Sequence, residues 1–195
     1  MTRLIRPEYC GLDFVTLPRD TTFANKSNIM RYDNKQPIKV GPEDGMTISV
    51  VGDTYRILIS GQQTGGAFAC IDMIVPPGGG PGPHAHPDFE ESFYVVEGEV
   101  EVNSESGRYI ATKGSFISIP KGGVVHGFKN KSETNAHLLC TVVPAGLEDF
   151  FAEIGQPVKF GELIPPPHFD EETIKRIENI AEKYGQKVFP PDYLG

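Results

Sequence analysis

The feature that most constrains this chain is a succession of short runs rich in β-branched and aromatic residues between positions 46 and 143. Eight such runs are separated by Gly, Pro or Asn, and nothing between them has the length or periodicity of a helix. Val, Ile, Thr, Phe and Tyr favour strands, whereas Gly, Pro and Asn favour turns. Short strands without intervening helices build sandwiches and barrels rather than parallel β–α–β units. The sequence therefore predicts an all-β fold over residues 46–144.

Three histidines and one glutamate in this region form a candidate set of metal ligands. His84 and His86 are two residues apart, Glu91 follows five residues later, and His126 comes 35 residues after Glu91. Alternate side chains of a strand point to the same face, so the first two imidazoles would lie together, with Cα atoms about 7 Å apart. Imidazole nitrogens and carboxylate oxygens are ligands of first-row transition metals. His126 can join them only if the chain folds back, as it does in a closed antiparallel barrel.

The spacing of these residues resembles the two sequence motifs of the cupin superfamily. The first motif is G-x5-H-x-H-x3–4-E-x6-G, and Gly78–Gly98 reads GGGPGPHAHPDFEESFYVVEG. The second is G-x5-P-x-G-x2-H-x3-N, and Gly114–Asn130 matches it with three residues rather than two before the histidine. With the surrounding strands, the resemblance covers roughly residues 54–144. It implies a double-stranded β-helix, or jelly-roll barrel. The metal ligands that it implies are His84, His86, Glu91 and His126.

Two adjacent glutamates follow the histidine pair, and the motif distinguishes between them. The Glu-x6-Gly spacing ends at Gly98 only from Glu91, so we assign Glu91 to the inner face and Glu90 to the surface. Glu91 could remain on the metal or leave it to act as a base. Glu91 is therefore the candidate catalytic residue as well as a candidate ligand.

Several aromatic residues are candidate walls of a substrate pocket. Phe93 and Phe128 are the stronger candidates, because each lies two residues from a candidate ligand on the same presumed inner face. The alternative for every one of these residues is a place in the barrel core. The whole set comprises Phe93, Phe128, Phe116, Phe68 and Tyr55.

The segments on either side of the barrel have a different character. Residues 1–45 are irregular and polar, and we expect an arm that packs on the barrel or on a neighbouring subunit. Residues 145–195 predict a C-terminal helical extension, with a short helix over 145–154 and a second one between an Asp170 N-cap and Gly185. The second helix has an apolar stripe that needs a partner: Ile174, Ile177, Ile180, Ala181 and Tyr184. Because both segments are expected to pack on the barrel, we predict one structural domain overall. The N-terminal arm and the apolar stripe of the second helix also predict a homodimer.

Composition limits the classes of partner. The net charge is −8 and no basic run is present, which argues against nucleic-acid binding. The apolar stretches are too short to span a membrane, and the first residues lack the continuous apolar core of a secretory signal. Three widely spaced cysteines indicate reduced thiols rather than a disulfide framework. We therefore expect a cytoplasmic protein with a small-molecule partner, and neither a nucleic-acid nor a membrane partner.

The ligand set and its neighbours suggest a reaction. Structural zinc sites are closed and usually contain cysteine, whereas four ligands of this kind leave one or two positions open on a five- or six-coordinate ion. Within the cupins, residues 64–102 and the segment VPAGLEDFFAEIG resemble single-domain proteins labelled quercetin 2,3-dioxygenase-like. This resemblance implies O₂-dependent cleavage of a small enolic or flavonol-like molecule by a metal-dependent dioxygenase.

Two alternatives stay open at this point. The same ion could serve only as a Lewis acid in a non-redox isomerase or lyase. The protein could instead be a non-enzymatic small-molecule or metal-binding protein, because a cupin barrel does not fix a function. The ligand set accepts one divalent transition metal and does not select among Fe, Mn, Ni, Co, Cu and Zn.

Overall fold

A computed structural model describes residues 36–195 of the chain, which contain twelve strands and three helices. The strands are β1 (Met46–Val50), β2 (Asp53–Ile59), β3 (Ala69–Val75), β4 (His84–Ala85), β5 (Glu90–Glu97), β6 (Glu99–Ser104), β7 (Gly107–Thr112), β8 (Phe116–Ile119), β9 (His126–Lys129), β10 (Ala136–Val143), β11 (Gln156–Pro157) and β12 (Lys187–Val188). The helices are α1 (Gly61–Thr64), α2 (Leu147–Ile154) and α3 (Glu171–Lys183).

The strands form two antiparallel sheets. The larger sheet has the order β11-β1-β2-β3-β10-β5-β8, and the smaller one has the order β12-β4-β9-β6-β7. Strands that are distant in sequence lie side by side, such as β10 between β3 and β5. The prediction of an all-β jelly-roll barrel is confirmed.

The core lies between the two sheets and follows from strand alternation. In β5, Glu91, Phe93 and Val95 are buried, whereas Glu90 and Tyr94 on the opposite face are exposed. The inner faces of the other strands supply further apolar side chains that fill the barrel. The fully buried ones include Ile71, Met73, Val75, Val100, Leu138 and Val142.

Helices α2 and α3 cover part of the barrel. In α2, Leu147, Phe150 and Phe151 are buried, and the ring of Phe151 contacts that of Tyr55 edge-on at 4.9 Å. Helix α3 begins as predicted, because the Asp170 side chain accepts a hydrogen bond from the backbone N–H of Thr173 at 2.8 Å.

The apolar stripe of α3 is buried only towards its C-terminal end. Ala181 is buried and Ile180 and Tyr184 pack against the core, but Ile174 is 42% exposed in the single chain. Gly185, which follows the helix, has a φ of +74°, the left-handed conformation expected at this position.

The C-terminal segment also returns to both sheets, which the sequence did not predict. Strand β11 pairs with β1, and β12 pairs with β4, with Val188 opposite His84. The backbone N–H of Phe189 continues this contact by donating to the carbonyl of Pro83 at 2.9 Å. The predicted extension over residues 145–195 therefore contributes strands to the barrel as well as helices.

Residues 1–35 of the predicted N-terminal arm lie outside the described residues. Residues 36–45 contain no helix or strand, and β1 begins at Met46. The domain boundaries given by the sequence stay predictions. Over residues 36–195, no helix combines the length and apolar character needed to cross a membrane.

Candidate metal centre

Strands of both sheets bring the four candidate ligands together. His84 begins β4 and lies opposite His126, which begins β9, while His86 follows β4 and Glu91 lies in β5. The potential ligand atoms of all four side chains lie within 4.8 Å of one another. The structure therefore brings together the residues that were selected from spacing alone.

Glycines allow the chain to approach closely where β4 is held against β9. Gly80 has a φ of +108°, and a Cβ there would come within 2.3 Å of the carbonyl oxygen of Phe128 in β9. A Cβ on Gly127 would lie 2.9 Å from the carbonyl oxygen of Pro81. Only residues without side chains fit at this crossing, so the glycine-rich segment before His84 positions the first ligands.

The same segment covers a buried carboxyl group. Asp53 accepts hydrogen bonds from the backbone N–H of Gly80 at 3.3 Å and from the hydroxyl of Tyr55 at 3.1 Å. Burial raises the pKa of Asp53 to about 7, although both hydrogen bonds act in the opposite direction. Asp53 is therefore a second buried acid, close to the segment that carries the ligands.

Backbone carbonyls fix the tautomer of each histidine in the cluster. The Nδ1 atoms of His84, His86 and His126 lie 3.0, 3.1 and 2.9 Å from the carbonyl oxygens of Gly82, Phe89 and Val124, respectively. Because a carbonyl can only accept, each Nδ1 carries a hydrogen, so each Nε2 presents a lone pair when its ring is neutral and an N–H when the ring is protonated. Metal-binding histidines use this arrangement to orient the ring and to raise its basicity.

The lone pairs and the carboxylate face a common centre. The Nε2 atoms of His86 and His126 are 3.2 Å apart, and Oε2 of Glu91 lies 3.2 Å from the first and 3.6 Å from the second. The other oxygen, Oε1, accepts a hydrogen bond from the thiol of Cys140 at 3.4 Å. The ring of Phe89 stacks on that of His86 at 4.2 Å between centroids.

The cluster is electrostatically coupled. Burial alone would raise the pKa of Glu91, but hydrogen bonds from His126 and His86 bring this pKa well below its usual range. Burial likewise opposes the charged form of His86, but the hydrogen bond and charge of Glu91 raise its pKa. Partial burial and the neighbouring His126 lower the pKa of His84 to about 4. The metal-free cluster thus favours an ionised carboxylate and a cation beside it.

This donor set fits a divalent ion. Two lone pairs only 3.2 Å apart repel each other unless a proton or a cation lies between them. Bonds of about 2.1 Å place two ligands of one ion no more than about 4.2 Å apart, so a small contraction of the cluster suffices. Three imidazoles and one carboxylate, without cysteine, suit first-row transition metals.

A small apolar cavity lies beside His126. Its volume is about 10 Å³, the room of about one water molecule. The rings of Phe93 and Phe128, in edge-to-face contact at 5.3 Å, form part of the wall. The other lining residues are Val100, Val102, Ile117, Ile119, Gly127 and Leu138.

The remaining candidate wall residues lie elsewhere. Tyr55 is buried in the core beside Phe151, and its hydroxyl donates to Asp53. Phe116 is 67% exposed and Phe68 is 38% exposed, and neither lines the described cavity. Two residues that contact the candidate ligands, Cys140 and Phe89, were not identified from the sequence. The only local signal for Cys140 was its place on the inner face of an alternating strand.

Comparison with known proteins supports the barrel. Residues 71–142 match the family described as the cupin domain. The chain is 28% identical over 126 residues to quercetin 2,3-dioxygenase of Bacillus subtilis, and this match covers 65% of the chain and 36% of the enzyme. The match therefore spans only about a third of the length of that relative.

Solved structures share the fold. An RmlC-like cupin from Shewanella frigidimarina has a TM-score of 0.50 and 25% identity, over 59% of this chain and 96% of that one. The polyketide cyclase of Streptomyces resistomycificus has a TM-score of 0.51 and 21% identity, over 72% and 92%. A predicted oxalate decarboxylase from Thermotoga maritima has a TM-score of 0.51 and 18% identity, over 55% and 99%. Such different names on one fold leave the reaction open. The matched residues, the barrel and the ligand cluster agree in making residues 71–142 similar to a cupin domain.

Proposed function

We propose that this protein is a metal-dependent dioxygenase that acts on a small enolic molecule. The observation that carries the proposal is the convergence of three Nε2 lone pairs and one carboxylate oxygen, each oriented by a further hydrogen bond. The proposed ligands are His84, His86, Glu91 and His126. A divalent ion there would supply Lewis acidity towards an enolate oxygen and, where the ion is redox-active, electron exchange with O₂.

The charge of the site selects the substrate. Three neutral imidazoles and one carboxylate contribute −1, so the site with a divalent ion has a net charge of +1. An enolate neutralises this charge, whereas a neutral alcohol does not. The described cavity beside His126 is otherwise lined by apolar side chains and glycine, so no charged group of that lining competes for the substrate.

The size of the cavity also supports a small substrate. The cavity beside His126 has room for about one water molecule, so it admits a molecule the size of water or O₂ but no aromatic ring system. We infer that only the oxygen-bearing edge of the substrate reaches the cluster, while any larger part stays at its rim. The distant similarity to quercetin 2,3-dioxygenase supports the class of chemistry rather than the flavonol itself.

A non-redox isomerase or lyase is the second candidate. It is favoured by the position of Glu91, whose Oε1 faces Cys140 rather than a histidine. A carboxylate with one oxygen outside the ligand cluster can accept a proton from the carbon next to a carbonyl group. The homodimer and the cytoplasmic location stay predictions from sequence, and a mass in solution equal to one chain would contradict the dimer.

Oxygen consumption tests the proposal. Metal-free protein is reconstituted separately with Fe(II), Mn(II), Ni(II), Co(II), Cu(II) or Zn(II), and each form is assayed with enolic acids, diketones and flavonols. We expect O₂ uptake with one redox-active metal, loss of uptake in His126→Ala, and normal uptake in His168→Ala, which changes an exposed histidine outside the cluster.

Two results would contradict a dioxygenase. A filled site with substrate turnover under anaerobic conditions would establish the isomerase or lyase. A filled site without any turnover would identify a binding protein. Retention of a full equivalent of metal by the double variant His84→Ala, His86→Ala would contradict the ligand assignment itself.

A further inference from the structure

We propose that the thiol of Cys140 is a positioning residue that fixes the orientation of Glu91 at the metal centre. The inference rests on the metal site of the proposed function and adds a residue outside the ligand set. Cys140 is fully buried in β10, and its Sγ lies 3.4 Å from Oε1 of Glu91.

The pairing of β10 with β5 creates this contact. Val142 lies directly opposite Glu91, and Cys140 lies opposite Phe93, two residues further along. Cys140 is thus the diagonal neighbour of Glu91 on the inner face of the sheet, where side chains meet across strands. The contact belongs to a central strand pair, so the backbone holds both groups in place.

The direction of the hydrogen bond follows from the groups involved. An ionised carboxylate only accepts hydrogen bonds, whereas a thiol can donate one. The S–H group therefore donates to Oε1. Oε2 remains free to face Nε2 of His86 and of His126, at 3.2 and 3.6 Å.

This arrangement makes the two carboxylate oxygens unequal. Turning the carboxylate to present both oxygens to the ion would remove the thiol contact that holds Oε1 among the described residues, in an apolar part of the barrel. Cys140 therefore favours binding of Glu91 through Oε2 alone. Binding through one oxygen leaves a further coordination position for the substrate, which binding through both would occupy.

The alternative role for Cys140 is packing, because free cysteines are commonly buried as small apolar residues. The two roles predict different variants. Cys140→Val removes the donor and keeps a side chain of similar size, Cys140→Ala removes both, and Cys140→Ser keeps a donor. Cys70→Ala, which changes the other described cysteine on the outer face of β3, is the matched control.

The experiment measures Co(II) binding to each metal-free protein, together with the visible absorption of the Co(II) form and the thermal stability of the apoprotein. We expect Cys140→Val and Cys140→Ala to raise the Kd at least about 10-fold, as outer-shell substitutions do, and to alter the Co(II) spectrum. Cys140→Ser and Cys70→Ala should keep both the Kd and the spectrum of the wild type.

A double-mutant cycle with Glu91→Ala separates positioning from packing. Without the carboxylate there is nothing to orient, so Cys140→Val should leave the Kd of the Glu91→Ala protein unchanged. An equal effect of Cys140→Val in both backgrounds would overturn the proposal, as would an unchanged Co(II) spectrum in Cys140→Val. A thiolate-to-Co(II) charge-transfer band in the wild type would also overturn it, because Cys140 would then be a ligand. A wild type that binds no Co(II) would reject the metal site of the proposed function as well.

Discussion

The buried carboxyl of Asp53 should give the metal-free protein a characteristic dependence of stability on pH. Its pKa is about 7 in the folded chain, against an ordinary value of 3.8. Between these two pH values the native state holds a proton that the unfolded chain has released. The free energy of unfolding must therefore fall as the pH rises through this window. The difference of about 3 pKa units corresponds to a loss of about 4 kcal/mol in the free energy of unfolding. This loss is absent below pH 4 and complete above pH 7.

Substitution of Asp53 by asparagine removes the titration and preserves the contacts. The amide oxygen can still accept from the backbone N–H of Gly80, and the amide nitrogen can donate to the hydroxyl of Tyr55. We therefore expect Asp53→Asn to match the wild type near pH 4 and to exceed its stability near pH 8, by up to about 4 kcal/mol.

The assay is urea unfolding followed by circular dichroism at a series of pH values, with a chelator present. The difference in free energy of unfolding between the two proteins is plotted against pH, so that titrations common to both cancel. Asp192→Asn, at an exposed carboxylate near the C-terminus, is the matched control and should show a constant difference. A constant difference for Asp53→Asn between pH 4 and 8 would refute the reasoning, because it would mean that burial does not shift this group.

Three further substitutions test other parts of the barrel by the same urea assay. Asn130→Ala should lower the free energy of unfolding by about 3 kcal/mol, because its fully buried side chain donates to two backbone carbonyls; a loss below half of this would contradict that role. Arg56→Met should cost about 3 kcal/mol, because it removes the guanidinium 2.6 Å from the buried carboxylate of Asp72 and leaves the imidazole of His137 as the remaining partner; an unchanged stability would argue against the ion pair. Gly80→Ala should lower the free energy of unfolding by more than the roughly 1–2 kcal/mol that its left-handed backbone costs, because the new methyl group also meets a carbonyl oxygen. It should weaken Co(II) binding as well, and tight Co(II) binding by this variant would show that the segment does not position the ligands.

Features with a local cause could be predicted from the sequence. Alternation in β5 separated buried Glu91 from exposed Glu90, because successive side chains of a strand point to opposite faces. The ends of α3 were recognisable from Asp170 and Gly185, because an N-cap acceptor and a left-handed glycine act within a few residues of themselves.

The orientation of short strands could not be predicted with the same success. Strand β8 reads Phe-Ile-Ser-Ile, so apolar residues occur on both of its faces. The structure turns Ile117 and Ile119 inwards and leaves Phe116 exposed. Ser118 on the face of Phe116 is consistent with this choice, but four residues are too few for alternation to outweigh a large aromatic side chain. Strands β4, β11 and β12 have two residues each, too few to show any alternation.

In the candidate metal centre, too, the ligands could be predicted from a sequence pattern, whereas a contact made through strand pairing could not. The spacing of His84, His86, Glu91 and His126 was visible in the sequence because the ligand pattern itself is local, apart from one histidine. The contact of Glu91 with Cys140 joins residues 49 positions apart through a strand pairing. No pattern near either residue indicates such a contact, which depends on the register of β5 with β10.

The pairing of β12 with β4 has a consequence for the order in which the protein folds. The two strands are separated by about 100 residues, so their contact closes one of the longest loops among the described residues, and loop closure of this kind is slow relative to the formation of hairpins. Until β12 returns, β4 has a single paired residue on β9 and one open edge. The strand that begins with His84 is thus completed by a segment about 100 residues later in the sequence. In a refolding experiment, the protein should therefore reach its full affinity for metal only after the sheets have formed.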